Sequence, residues 1–139
     1  MLKKNVTKVI EQSQKNNKYY SQLESIIINF DCLQYSSKIL AIKLIVTLSK
    51  WDTNNIINKN MYIISNILIN NKISIVQTFI RAMSNFDFEY VDGEKLYKVC
   101  NDILLERFTI KQQEQIKKQI NKLLFAIESQ QERNNDTAV

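Results

Sequence analysis

The sequence contains no histidine and no proline, and it has one glycine and two cysteines among 139 residues. Without histidine, a Ser-His-Asp or Cys-His catalytic arrangement cannot form, and neither can a zinc site with a histidine ligand. A single glycine also excludes the glycine-rich loops that hold phosphate groups in nucleotide-binding proteins. These absences predict a protein that is not an enzyme, has no cofactor or metal site, and has no evident small-molecule substrate.

The two cysteines and the length of the apolar runs indicate the cellular compartment of the protein. Cys32 and Cys100 lie far apart and without a C-x-x-C spacing, which predicts two reduced, buried thiols. The N-terminal MLKKNVTKVI has no sustained apolar stretch, and the near-apolar run from Ile39 to Leu48 is too short to cross a bilayer. We therefore predict a cytoplasmic protein that does not act at a membrane.

The same scarcity of glycine and proline predicts an all-α fold, because sheet proteins place these residues at their turns. Apolar residues recur at helical spacing along seven segments, which predicts one helical domain over residues 1–130 and a disordered tail over 131–139. Asp52 or Thr53, Asp92, and the Thr109-x-x-Gln112 capping box mark the expected starts of three helices.

A short motif occurs twice in this helical pattern. Residues 48–52 read LSKWD and residues 83–87 read MSNFD. Each copy stands where the second helix of a predicted pair ends, with Trp51 or Phe86 covering the end of the pair. The predicted helices two to seven form three such pairs of roughly 35–40 residues, within the range of helical-hairpin repeats.

One of these pairs resembles a HEAT repeat. In the segment Ile26 to Lys50, an apolar helix ends near Asp31, a short turn follows, and Lys38 opens a second apolar helix. In that family the acid and the base help to tie one turn to the next. The second pair has Asn70-Asn71 in place of the acid, and the third has Glu106 without the base. The resemblance implies a short right-handed α-solenoid of about three hairpins plus an N-terminal helix; the alternative is a compact six- or seven-helix bundle.

The formal net charge of +5 favours an acidic partner, although lysines are scattered along the whole chain. In HEAT-like stacks the second helix of each pair usually lines the concave side, which implies that the third, fifth and seventh predicted helices supply the binding face. Their polar positions form what we call the basic strip. It comprises Lys43, Thr47, Lys50, Gln77, Arg81, Asn85, Gln115, Lys118 and Lys122. The strip contains no acid, and its alternative interpretation is a merely solvated set of helix faces.

Three functional hypotheses follow. The first is a protein–protein interaction module, or scaffold, that binds an acidic surface of another protein through the basic strip. The second is an inhibitor or immunity-type protein that neutralises one toxin or enzyme. The third is a nucleic-acid-binding HEAT-like protein, for which three hairpins are short and no base-excising residue is present.

Overall fold

The computed structural model describes residues 21–137, with side chains through residue 133, and every regular element in this range is helical. The all-α prediction is therefore confirmed, while the predicted N-terminal helix lies outside the described residues. The elements are α1 (21–28), a 3₁₀ helix (Phe30–Cys32), α2 (Tyr35–Ser49), α3 (Ile56–Lys59), α4 (Met61–Asn70), α5 (Ile73–Met83), α6 (Gly93–Arg107) and α7 (Ile110–Thr137).

The helices pack as two layers. Helices α2, α5 and α7 contact one another in that order, α4 contacts α6, and α6 packs on α7. We refer to α1–α2, α3–α5 and α6–α7 as the first, second and third hairpins. Side-chain hydrogen bonds between consecutive hairpins join residues 32–44 positions apart, from Asn58–Tyr90 to Gln130–Phe86. Corresponding parts of neighbouring hairpins therefore lie side by side, as they do when hairpins stack in register.

One apolar cluster connects the two layers. Ile45, Ile64 and Ile80 are at most 1% exposed, as the apolar periodicity predicts. Phe30 and Phe79 pack with ring centroids 5.8 Å apart and join the first hairpin to the second. Burial of each isoleucine side chain contributes about 2 kcal/mol, so the packing between hairpins rather than any single helix stabilises this fold.

Two of the predicted helix starts have the expected hydrogen bonds. The Asp92 carboxylate accepts the backbone N–H of Lys95 at 3.1 Å. At the start of α7, the Gln112 N–H donates to Thr109 Oγ1 at 3.3 Å, and the Thr109 N–H donates to Gln112 Oε1 at 3.2 Å. This reciprocal pair is the capping box that the T-x-x-Q spacing predicts.

Asp52 rather than Thr53 caps α3. Its two carboxylate oxygens accept the N–H groups of Ile56 and Ile57 at 2.8 and 3.0 Å, and its side chain is completely buried. Burial raises the pKa of the Asp52 carboxyl above its ordinary value, against the opposite effect of the two backbone hydrogen bonds. The carboxylate satisfies two backbone donors that would otherwise be buried without a partner.

Three expectations from the sequence are wrong. The apolar spacing from Ile56 to Leu68 predicts one continuous fourth helix, but it is interrupted at Asn60, whose amide donates to the Ile56 carbonyl at 2.8 Å and so ends α3. Helix α7 continues to Thr137 rather than ending near Gln130, because no glycine or proline stops it. Cys32 is exposed, whereas Cys100 is buried as predicted, and its burial raises the pKa of the thiol to about 12.

The only glycine lies where α6 contacts α7. A Cβ atom at Gly93 would lie 2.7 Å from Cγ2 and 2.9 Å from Cγ1 of Ile127, closer than carbon atoms normally pack. The branched Ile127 side chain is fixed at its first torsion and has little freedom to move away. Glycine is therefore required here for the contact between α6 and α7 and not for a turn.

Candidate interaction face

The nine residues of the basic strip lie on three helices that pack side by side. Of these residues, Gln77 is half-buried and the other eight are exposed. Because α2 contacts α5 and α5 contacts α7, the exposed sides of the three helices adjoin. The helices that the sequence assigned to one face therefore form one layer.

Hydrogen bonds connect the middle of the strip. Gln77 Nε2 donates to Gln115 Oε1 at 3.3 Å across the α5–α7 boundary. Gln119, oriented so that both of its contacts are satisfied, donates to the Gln77 carbonyl at 3.1 Å and accepts from an Arg81 Nη atom at 3.0 Å. Gln119 was not among the predicted residues, although its spacing of four from Gln115 places it on the same side of α7.

At one end of the strip, Lys50 and Asn85 line a shallow depression of about 400 Å³ together with Gln130 and Arg133. Asp87 and Glu89 line the same depression, so acids that sequence reasoning did not place on this face stand at its edge. They belong to the connection between α5 and α6. Because this connection is not helical, its apolar residues have no helical spacing from which its position could be predicted.

That connection is held in place by Gln130. Its amide accepts the Phe88 N–H at 2.9 Å and donates to the Phe86 carbonyl at 2.9 Å. On the other side, Ser49 Oγ accepts the Asp87 N–H at 3.2 Å. The acidic edge of the depression is thus fixed between the first and third hairpins.

At the other end, Gln115 and Lys118 line a depression of about 360 Å³ with Glu114, Lys117 and Asn121. Lys43, Thr47 and Lys122 are exposed and are not drawn into a contact with other strip residues across a helix boundary. Within α2, Thr47 Oγ1 donates to the Lys43 carbonyl at 2.9 Å.

The strip carries five cations and no acid. Helices α2 and α5 contain no aspartate or glutamate. Among residues with described side chains, no carboxylate forms an ion pair with any of the five cations of the strip, Lys43, Lys50, Arg81, Lys118 and Lys122.

Two carboxylates of the acidic segment between α5 and α6 accept backbone N–H groups. In the acidic segment 87–94, Asp87 Oδ1 accepts the Glu89 N–H at 3.0 Å and Asp92 caps α6. Over the part of the chain that the structure describes, no three potential metal-ligating side chains converge. Within the same range, no helix combines the length and the apolar character needed to cross a bilayer.

Comparisons with protein-family models, with curated proteins and with solved structures give no match to this chain. The HEAT resemblance of the first hairpin therefore remains a prediction.

Proposed function

We propose that this protein is a non-catalytic interaction module that binds another protein through the basic strip. The observation that carries the proposal is a layer of three contacting helices that carries five exposed cations, none of which forms an ion pair with a described side chain. A partner with an acidic helix or patch would pair with these cations and would be steered towards them during association.

The composition of the face supports a protein partner over nucleic acid. Only Arg81 among the five cations has the planar fork that phosphate and base edges favour. Asp87 and Glu89 stand at one end of the strip, and Glu114 stands at the other. These carboxylates would repel a phosphate backbone that ran the whole length of the strip.

The packing order supports a repeat-like interpretation of the fold. Equivalent helices of consecutive hairpins contact one another, and their hydrogen bonds recur at a similar separation along the chain. Stacked hairpins expose one helix of each unit along a shared face, which is how solenoid proteins form extended binding surfaces.

The test is affinity capture from the cell of origin with three forms of the protein, quantified by mass spectrometry. Lys43→Glu/Lys118→Glu reverses two charges on the strip, and the matched control Lys95→Glu/Lys98→Glu reverses two exposed charges on α6. We expect a bound protein with the wild type and the control, and its loss with the strip variant.

Equal loss with both double variants would show that only net charge matters and would contradict the proposal. Salt-dependent binding of fluorescent duplex or single-stranded DNA that drops only with the strip variant would instead assign the face to nucleic acid. If the captured protein is a toxin or an enzyme that loses its activity in the complex, the module belongs to the inhibitor or immunity class.

A further inference from the structure

Arg81 differs from the four lysines of the strip because its side chain is held by another residue. An Nη atom of its guanidinium donates to Gln119 Oε1 at 3.0 Å, and Gln119 is itself fixed by donating to the Gln77 carbonyl. The four lysine ammonium groups have no partner among the described side chains. One cation of the strip is thus oriented before any partner arrives, while the others remain flexible.

The surrounding amides leave mainly donor groups for a partner. Gln115 Oε1 already accepts from Gln77, and Gln119 Oε1 already accepts from Arg81. The remaining guanidinium N–H groups of Arg81 and the Gln115 amide N–H₂ have no acceptor among the described residues. A cluster of unsatisfied donors beside a fixed positive charge is suited to an anion that accepts two parallel hydrogen bonds.

We propose that Arg81 is the specificity-determining residue of the strip and binds a carboxylate side chain of the protein partner in a bidentate manner. Gln119 is its positioning residue, because it holds the guanidinium at the α5–α7 boundary without itself contacting the partner. This inference rests on the proposed function and adds to it the chemistry of one contact. The lysines attract the acidic partner over a distance, and Arg81 fixes the orientation of one hydrogen-bonded contact.

A carboxylate, rather than a phosphate group, fits this position. Arg81 is the only strip residue with a rigid fork, and the next fixed donors are neutral amides rather than further arginines. Sites that bind phosphate in proteins usually gather several arginines or a series of backbone N–H groups. A single fork with flanking amides matches the two oxygens of one aspartate or glutamate.

The first experiment follows the arginine Nε–Hε resonances by ¹H–¹⁵N NMR while sodium glutarate is added to the wild-type protein. Inorganic phosphate at equal ionic strength forms the second arm, and sodium chloride forms the third. We expect a saturable change at Arg81 with glutarate, at a concentration several-fold below that needed for Arg107 or Arg133. The Gln119→Ala variant should require about threefold or more glutarate for the same change.

Three results would overturn the inference. They are an Arg81 response that sodium chloride reproduces, an equal response at all three arginines, or saturation by phosphate at a lower concentration than by glutarate. The last result would assign Arg81 to phosphate groups.

The second experiment separates this inference from the proposed function. Arg81→Lys keeps the charge and removes the fork, and Lys98→Arg is the converse control on α6, outside the strip. With the protein recovered by affinity capture, we expect Arg81→Lys to weaken binding roughly tenfold or more and Lys98→Arg to leave it unchanged.

Unchanged binding by Arg81→Lys, together with loss in the Lys43→Glu/Lys118→Glu variant, would overturn the role of Arg81 and keep the proposed function. Because Arg81 is exposed, both variants should keep the wild-type circular dichroism spectrum and melting temperature. A variant that lost either would be replaced by Arg81→Gln, whose retained binding would equally overturn the inference.

Discussion

The two junctions between consecutive hairpins perform the same task with different chemistry. At the first junction the contacts are between side chains and converge on Asn71, which is only 4% exposed. Asn71 Nδ2 donates to Asp31 Oδ1 at 2.7 Å and to the Ile67 carbonyl at 2.8 Å, and Lys38 Nζ donates to Asn71 Oδ1 at 2.7 Å. One amide thus joins an acid and a base from the preceding hairpin.

At the second junction, beside the side-chain bond between Gln77 and Gln115, one arginine donates to backbone carbonyls. The Arg107 guanidinium donates to the carbonyls of Leu68 and Asn71, at the end of α4, and it also lies over the Phe108 ring. Glu106, which stands at the acid position of the repeat pattern, is exposed instead. Arg107 thereby satisfies carbonyls that the end of a helix leaves without an intrahelical partner.

Similar contacts between hairpins can therefore rest on different side chains. A junction made of an acid and a base has a recognisable pair of residues, as Asp31 and Lys38 show. A junction made between one arginine and backbone carbonyls needs only one particular side chain, since every residue has a carbonyl. Similar packing can therefore continue from one hairpin to the next after the side-chain pattern has changed.

The largest expected effect is at Asn71, which takes part in both junctions. Asn71→Leu removes three side-chain hydrogen bonds and leaves the partly buried Asp31 and Lys38 contacts without their amide. We expect the free energy of unfolding to fall by roughly 2–4 kcal/mol in urea denaturation. A loss below about 0.5 kcal/mol would show that the first junction depends on apolar packing alone.

At the second junction, Arg107→Ala should lower the free energy of unfolding by about 1.5–3 kcal/mol, because two carbonyls lose a charged donor. Arg107→Lys is the control that keeps one donor, and it should lie between the wild type and alanine. If lysine matched the wild type in thermal and urea unfolding, the fork geometry would not be needed at this junction.

A third change tests packing inside a hairpin instead of between hairpins. Gly93→Ala should lower the free energy of unfolding by about 1–2 kcal/mol, because the new methyl group overlaps Ile127. In the Gly93→Ala/Ile127→Ala double variant, the overlap is gone. A double-mutant cycle should therefore give a loss smaller than the sum of the two single losses, whereas strict additivity would contradict the close approach.

A matched pair of lysines on α2 tests how much the Lys38 contact stabilises the first junction. Lys38 is bonded to Asn71, whereas Lys43 is exposed on the strip. Lys38→Ala should cost about 1 kcal/mol of unfolding free energy, and Lys43→Ala should stay within about 0.5 kcal/mol of the wild type. Equal values for the two variants would remove the stabilising role assigned to the Lys38 contact.

The smallest effect is a dependence on pH at the buried Asp52. Its folded-state pKa lies above the ordinary value of 3.8, so the folded protein holds this proton more tightly than the unfolded chain does. Its contribution to the free energy of unfolding is constant below that value and falls as pH rises through the interval just above it.

Asp52→Asn removes this titration. The stability of the wild type relative to the variant should therefore decrease as pH rises above the ordinary carboxyl pKa of 3.8, as measured by urea unfolding at a series of pH values. A difference that increases with pH would contradict the assigned direction, and a constant difference would show that burial does not perturb this carboxyl.

Local spacing in the sequence predicts the helices better than it predicts which residues contact one another. The Asp92 cap, the Thr109 capping box and the buried Ile45 and Ile80 follow from local spacing, which the structure reproduces. The interruption at Asn60 was missed, because an asparagine within an apolar helical pattern looks like a tolerated polar position. The Asn60 side chain ends the helix because its amide donates to the Ile56 carbonyl instead of pointing into solvent.

The repeated motif also combines a likeness that is visible in the sequence with a difference that only the tertiary structure shows. Ser49 from the first copy accepts the N–H of Asp87 from the second copy, so the two motifs are in contact as well as alike. Their aromatic residues differ, however, since Phe86 is fully buried and Trp51 is 37% exposed. Phe86 belongs to the second hairpin, whose end is held between Ser49 and Gln130, and this position in the stack decides its burial.

By itself, the sequence determined the helical class, most helix starts and the residues that face inward, because these depend on interactions over a few positions. The tertiary structure decided that Asn71 and Arg107 join hairpins, that the only glycine lies against Ile127, and that Asp87 and Glu89 border the strip. These features depend on groups between 32 and 44 residues apart, including backbone atoms that no side-chain pattern specifies.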